Sequence, residues 1–177
     1  SLPDSSSFAL RVTLLASRAT GGGQRTERDV YEVSAFTTGG AITATADIVM
    51  FVIDDSASCG LASGIGATAA TAFAAVHYSC ATGYYSFGHE MGHLQSARHD
   101  PTNDPTTTPY AYGHGYQYPA GGWRTIMAYA CSTGTCNRIN YWSNPAKLRS
   151  GVPMGTTSTH HNQRVLNNTK ATIAAFR

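Results

Sequence analysis

Four residues in one short stretch, His89, Glu90, His93 and His99, are of the types and spacing that hydrolytic chemistry at a metal needs. His89 and His93 stand at i and i+4, so on a helix both project from one face, about 40° apart. Two neutral imidazoles so placed can take two corners of a zinc tetrahedron at roughly 2.0–2.1 Å. Glu90 follows His89 directly and is poorly placed to be a third ligand from that face. It can reach a water on the metal, where a general base for hydrolysis must stand. His99 lies too far along for the same helical face. If the helix ends near Ser96 and the chain reverses, His99 supplies the third nitrogen. A fourth position then stays open, as in catalytic zinc sites.

Two histidines around a glutamate at helical spacing also occur by accident on solvated helices. Three features argue against accident here: His99, Asp100 directly after it, and Thr125-Ile126-Met127-Ala128-Tyr129 downstream. Two other function classes compete, a zinc hydrolase of another bond type and a zinc-stabilised binding module. A structural site would normally close its fourth position with a protein ligand, and Glu90 would then have no task.

These residues resemble the extended zinc motif and Met-turn of the metzincin endopeptidases. Within that clan the chain is most similar to the peptidyl-Asp metalloendopeptidase family. Ala46-Asp47-Ile48-Val49, Cys59-Gly60-Leu61-Ala62, Ile126-Met127-Ala128-Tyr129 and Ile139-Asn140-Tyr141-Trp142-Ser143-Asn144-Pro145 carry the likeness, with Arg164-Val165-Leu166-Asn167-Asn168-Thr169. The resemblance implies an α+β, metzincin-like zincin: a small twisted mixed sheet, an active-site helix and a C-terminal subdomain ending in a helix. It implies one catalytic zinc and hydrolysis of internal peptide bonds. Met127 would pack beneath the ligands as an apolar floor without coordinating. Tyr129 would either cap the core or hydrogen-bond the oxyanion. One position departs from the family: Ser96 stands where the motif has glycine. The chain must reverse there, and serine enters the left-handed region at a cost of roughly 1–2 kcal/mol.

Several elements must position these groups. The length of 177 residues fits one domain, which divides into an N-terminal subdomain of about 1–99 and a C-terminal one of about 100–177. Residues 8–16 and 29–36 read as strands, and the continuous apolar run at 46–53 as a central, doubly covered strand. No convincing helix lies between the early strands, so the N-terminal subdomain is expected to be reduced. Residues 60–66 read as a small-residue loop. Residues 71–79 fit helix or strand by pattern; the resemblance makes them the strand bordering the cleft, with His77 in a structural role. A helix is expected over 84–95. Residues 100–117 read as a surface loop carrying an exposed His114. Asp100 is expected to fix the turn after His99 by a buried hydrogen bond. Asp100, Asn103 and Asp104 leave calcium open without matching a known loop. Residues 158–176 read as a closing helix capped by Ser158 or Thr159, with His160 and His161 exposed.

Charged residues make up only 12% of the chain, and no apolar run approaches the length of a membrane span. Cys59, Cys80, Cys131 and Cys136 make an even count with poor zinc spacing, which favours two disulfides and an oxidising compartment. Three pairings are open; Cys131 with Cys136 closes a short loop and leaves Cys59 with Cys80. The expectation is a secreted, extracellular, monomeric chain acting on proteins or peptides, without nucleic-acid or membrane partners. Every acidic residue falls in residues 1–104, and residues 105–177 carry seven basic side chains and no acid. By the resemblance, the pocket for the residue after the cut is built from the segment following Met127. Its charges are Arg138, Lys147 and Arg149. A cation there without a carboxylate partner suits a substrate carboxylate, so cleavage before Asp, and less well Glu, is expected. Arg138 is the first choice of reader.

Overall fold

The computed structural model describes the backbone of residues 12–17, 28–31 and 47–176 and the side chains of 47–176. In chain order come β1 (Val12–Ser17), β2 (Arg28–Tyr31), β3 (Ile48–Ile53), β4 (Gly60–Ala62) and β5 (Phe73–His77). They form one mixed sheet in the order β2-β1-β3-β5-β4, with β1, β3 and β5 parallel and β2 and β4 antiparallel to their neighbours. The expected strand extensions at 8–11 and 32–36, and the link in which a helix was sought, lie outside the described residues.

The apolar run at 46–53 is central, but among the described residues only one face is fully covered. Ile48 and Met50 are buried, while Val49 and Phe51 are half-buried. The ambiguous stretch 71–79 resolves as a strand because Ala72, Ala74 and Val76 are buried at a period of two. It ends in a single helical turn, α1 (Tyr78–Ala81).

Residues 60–66 are not wholly loop. Gly60–Ala62 pairs antiparallel with β5, Leu61 opposite Ala75. The edge strand on this side is therefore β4, and β5, expected to border the cleft, lies inside the sheet. The cause is covalent: Cys59 is bonded to Cys80, and His77 N–H donates to Cys59 O at 3.1 Å, which lays this segment along the end of β5.

The next helix, α2 (Ser86–Leu94), starts later than expected because Tyr85 is left-handed, with φ 57°. It packs on β4 and β5, with Leu94 joining Ile48, Met50, Ala74 and Val76 in the core. Beyond it lie short elements: β6 (Gln117–Tyr118), β7 (Trp123–Arg124) and β8 (Asn137–Arg138) in one sheet, then the hairpin β9 (Asn144–Arg149) and β10 (Val152–Met154). The closing helix α3 (Asn162–Ile173) places Ile173 and Phe176 against the first sheet's core. It begins later than expected, and neither Ser158 nor Thr159 caps it. The Thr156 hydroxyl takes the Thr159 and His160 N–H groups instead, in a separate turn. His160 and His161 are half-buried, not exposed, because His160 lies edge-on to Tyr116. Among the described residues no helix is long and apolar enough to cross a membrane.

Candidate active site

Helix α2 puts His89 and His93 on one face, and the turn after it brings His99 back to them. That turn is a Schellman motif: Ser96 N–H bonds His93 O at 2.8 Å and Ala97 N–H bonds Gly92 O at 2.9 Å. Ser96 occupies the left-handed position with φ 71°, so the chain makes the glycine turn with a serine. Ser96→Gly removes a Cβ penalty of roughly 1–2 kcal/mol and returns about 0.4–1 kcal/mol of unfolded-chain entropy. The expected result is a melting temperature unchanged or raised by up to about 4 °C. A clear fall in a thermal melt would mean that the hydroxyl makes a needed contact.

Residues 97–99 are then held by a short pairing with 113–115: Arg98 N–H donates to Gly113 O at 2.7 Å, and Gly115 N–H donates to Arg98 O at 3.0 Å. The outcome is convergence. The Nε2 atoms of His89, His93 and His99 lie 3.0–3.1 Å from one another. Zinc ligands at 2.0–2.1 Å in a tetrahedron stand about 3.3 Å apart, so the triangle is close to the size a metal ion needs.

Protonation argues the same way. His89 Nδ1 faces Ile126 O at 2.9 Å and His93 Nδ1 faces Ala97 O at 3.0 Å. Only an N–H can satisfy a carbonyl, so the proton sits on Nδ1 and the Nε2 lone pair turns inward. Burial pushes the His89 pKa down to about 2 and that of His93 to about 4, and lowers His99 as well. Three neutral imidazoles aiming lone pairs at one point repel each other unless a cation sits between them. The cluster fits a metal ion. Among the described residues it is the one group of three or more His, Cys, Asp or Glu side chains gathered for that purpose.

Glu90 is buried beside the cluster, against the β4 edge. Ala62 N–H donates to its carboxylate, and a Cβ on Gly60 would lie 2.5 Å from Oε1. Gly60 is thus bare so that Glu90 can lie over it, a requirement the sequence reading missed. Burial raises the Glu90 pKa to about 7, opposed by the Ala62 N–H and by Arg138.

Beneath the histidines Met127 is fully buried, packed with Ala97, Ile126 and Trp142. A Cβ on Gly92 would meet Met127 Sδ at 2.7 Å and the Trp142 ring at 2.8 Å, so the metal-site helix rests directly on this floor. Asp100 accepts from Tyr129 N–H at 2.9 Å and from Asn103 Nδ2 at 3.0 Å. It joins the turn after His99 to the Met127 segment. Asp104 is occupied by Arg98 at 2.8 Å.

His114 is not the surface residue expected. It is only 2% exposed, its Nδ1 faces His99 O at 2.8 Å, and its own carbonyl accepts from Ser143 Oγ at 2.6 Å. Asn162, at the start of α3, donates to Gly113 O at 2.7 Å. A polar network from α3 thus holds the strip on which His99 is aligned. No local pattern around His114 announces this, because all its partners are distant in sequence.

Tyr129 is 43% exposed, with its ring 4.1 Å from that of His99; it lies at the cluster and not in the core. Arg138 is half-buried near these groups. It interacts electrostatically with Glu90 and Tyr129, and burial lowers its pKa to about 10, so it stays charged at neutral pH. Lys147 and Arg149 lie exposed on β9, and no contact links them to the cluster. The disulfides are Cys59–Cys80 and Cys131–Cys136, with Cα separations of 5.4 and 5.6 Å.

Residues 17–143 match the Reprolysin_5 model, described as metallo-peptidase family M12. A peptidyl-Asp metalloendopeptidase of Xanthomonas campestris pv. campestris is 67% identical over 135 residues, 76% of this chain and 32% of that protein. One of Stenotrophomonas maltophilia (strain R551-3) is 68% identical over 135 residues, 75% of this chain and 32% of that protein. One of Pseudomonas fragi is 66% identical over 99 residues, 55% of this chain and 62% of that protein. The chain spans about a third of the length of the first two, at 32% each. A solved structure described as a chaperone-substrate complex shares the fold, with a TM-score of 0.56 and 24% identity over 75% of this chain and 21% of that one.

Proposed function

The chain belongs to metallo-peptidase family M12, and from that premise we propose that it is a zinc-dependent endopeptidase cutting on the amino side of Asp, and less well Glu. The observation that carries the reading is the convergence of three Nε2 atoms at 3.0–3.1 Å with the Glu90 carboxylate beside them. The name shared by the relatives supports the Asp preference.

His89, His93 and His99 would hold the zinc, which supplies Lewis-acid polarisation of the scissile carbonyl and acidifies water. A carboxylate oxygen of Glu90 takes the proton of the attacking water and returns it to the departing amide nitrogen. Tyr129 donates its phenolic proton toward the carbonyl oxygen as charge develops there. The β4 edge, with Leu61 71% exposed, pairs with an extended substrate by main-chain hydrogen bonds. Asp100 and Met127 act from behind, by position.

Residues 1–177 act as one catalytic domain, its cleft between subdomains of about 1–99 and 100–177. It works as an extracellular monomer, in keeping with its two disulfides. Casein digestion tests the reading. A chelator should abolish it, and zinc added back in slight excess should restore it. Digestion that survives complete metal removal overturns the assignment.

A further inference from the structure

Arg124 and Arg138 are direct cross-strand partners in the β7–β8 pair. Like charges facing each other across strands destabilise a sheet, and neither has a carboxylate salt-bridge partner among the described residues. One aromatic ring serves both. The Tyr84 ring centroid lies 5.9 Å from Arg124 Cζ and 5.1 Å from Arg138 Cζ. The two guanidinium groups are nonetheless placed differently. Arg124 is buried and its donors are used: Nε bonds Cys136 O at 3.1 Å, Nη1 bonds Ala128 O, and the side chain hydrogen-bonds that of Tyr84. Arg138 is tied at one corner, where Nη1 donates to Tyr84 O at 3.1 Å. Its Nε–H is out of water and has no acceptor. A buried donor left without a partner costs about 1–3 kcal/mol.

We propose that Arg124, Tyr84 and Arg138 form an anion-recognition site for the side-chain carboxylate of the residue after the cut, with Arg138 as the contact. The proposal rests on the endopeptidase reading and specifies its pocket. Arg138 offers its Nη2 corner first, and a small turn of the side chain brings the lone Nε–H out to complete the fork that holds a carboxylate bidentately. Arg124 adds a second positive charge from beneath. Tyr84 is a positioning residue: its carbonyl and ring hold the Arg138 fork in place. The lone Nε–H and the unrelieved pair of cations are both satisfied when an acidic side chain arrives. A neutral side chain leaves both unsatisfied, which is how such a site discriminates. Lys147 and Arg149 have no part in it.

Two peptides differing only in Asp or Asn after the cut, assayed on zinc-loaded protein, test this. Arg138→Met should lower the Asp:Asn ratio of kcat/KM about tenfold or more. Arg138→Lys, which keeps charge but loses the fork, should lower it by a smaller factor. Tyr84→Leu should lower the ratio and Tyr84→Phe should largely preserve it, a difference that general destabilisation does not produce. Arg164→Met, the same charge change on exposed α3, should leave the ratio alone. A second readout is independent of turnover: calorimetric titration of a short peptide with N-terminal Asp into Glu90→Gln protein. Binding should weaken about tenfold with Arg138→Met added, or with Arg138→Lys if the Met variant does not fold. Ratios or affinities within twofold of the parent in the Arg138 variants overturn the site. Absence of peptide cleavage by wild-type protein with zinc bound counts instead against the endopeptidase reading, and the titration still decides the anion site.

Discussion

Glu90→Gln is expected to lower kcat/KM on any peptide substrate by about 10²–10⁴-fold while metal content stays unchanged. The amide is nearly isosteric with the carboxylate and can still accept the Ala62 N–H, so its place over Gly60 is kept. It cannot take a proton from water at neutral pH. Stability should not fall with activity. The carboxyl is buried, and burial has raised its pKa to about 7, so its ionised form is penalised in the fold. A neutral amide escapes that penalty, and the melting temperature of the metal-free protein should be equal or higher. Metal analysis, a thermal melt and a peptide assay on one preparation decide the matter. Near wild-type turnover with the metal in place would show that the proton is carried by another group.

A large loss of stability is expected from Gly115→Ala. A Cβ at this position would lie 2.7 Å from Met127 C and 2.9 Å from Ala128 Cα, and closer still to Ala128 N. These are backbone atoms of the segment that carries the apolar floor and Tyr129, and they cannot turn aside as a flexible side chain would. The strip 113–115 and the Met127 segment must separate. That movement loosens the alignment of His99, since Gly115 N–H bonds Arg98 O at 3.0 Å. A cost of about 3 kcal/mol is expected, which lowers the melting temperature by about 6–12 °C, and zinc should bind more weakly. Gly134→Ala makes a fair comparison. Gly134 has φ 70° but nothing within 4 Å of the added methyl, so only left-handed strain of about 1–2 kcal/mol applies. If Gly115→Ala melted no lower than Gly134→Ala, the close approach of the two backbones would be refuted.

The histidine cluster was legible in the sequence because it is written in local spacing. His89 and His93 share a helical face at i and i+4, Glu90 must point elsewhere, and His99 can return only through a sharp turn. Whether Ser96 would turn left-handed was left open by the sequence, and the fold decides it at φ 71°. The central strand followed from an apolar run, whereas three disulfide pairings stayed open until the fold joined Cys59 to Cys80 and Cys131 to Cys136. Tertiary structure decided what depends on distant neighbours. Gly60 looked like loop, yet a disulfide partner far along the chain makes it an edge strand over which Glu90 lies. His114 sits among Pro, Thr, Tyr and Gly and reads as surface, yet it is buried and bonded to His99 and Ser143. Among the three candidate cations, sequence could say only that none had an acid in its own segment. The fold leaves Lys147 and Arg149 in solvent and half-buries Arg138 against Tyr84 and beside Arg124. Local pattern specifies which groups a helix or turn presents; which of them meet is set by packing between segments that the sequence keeps apart.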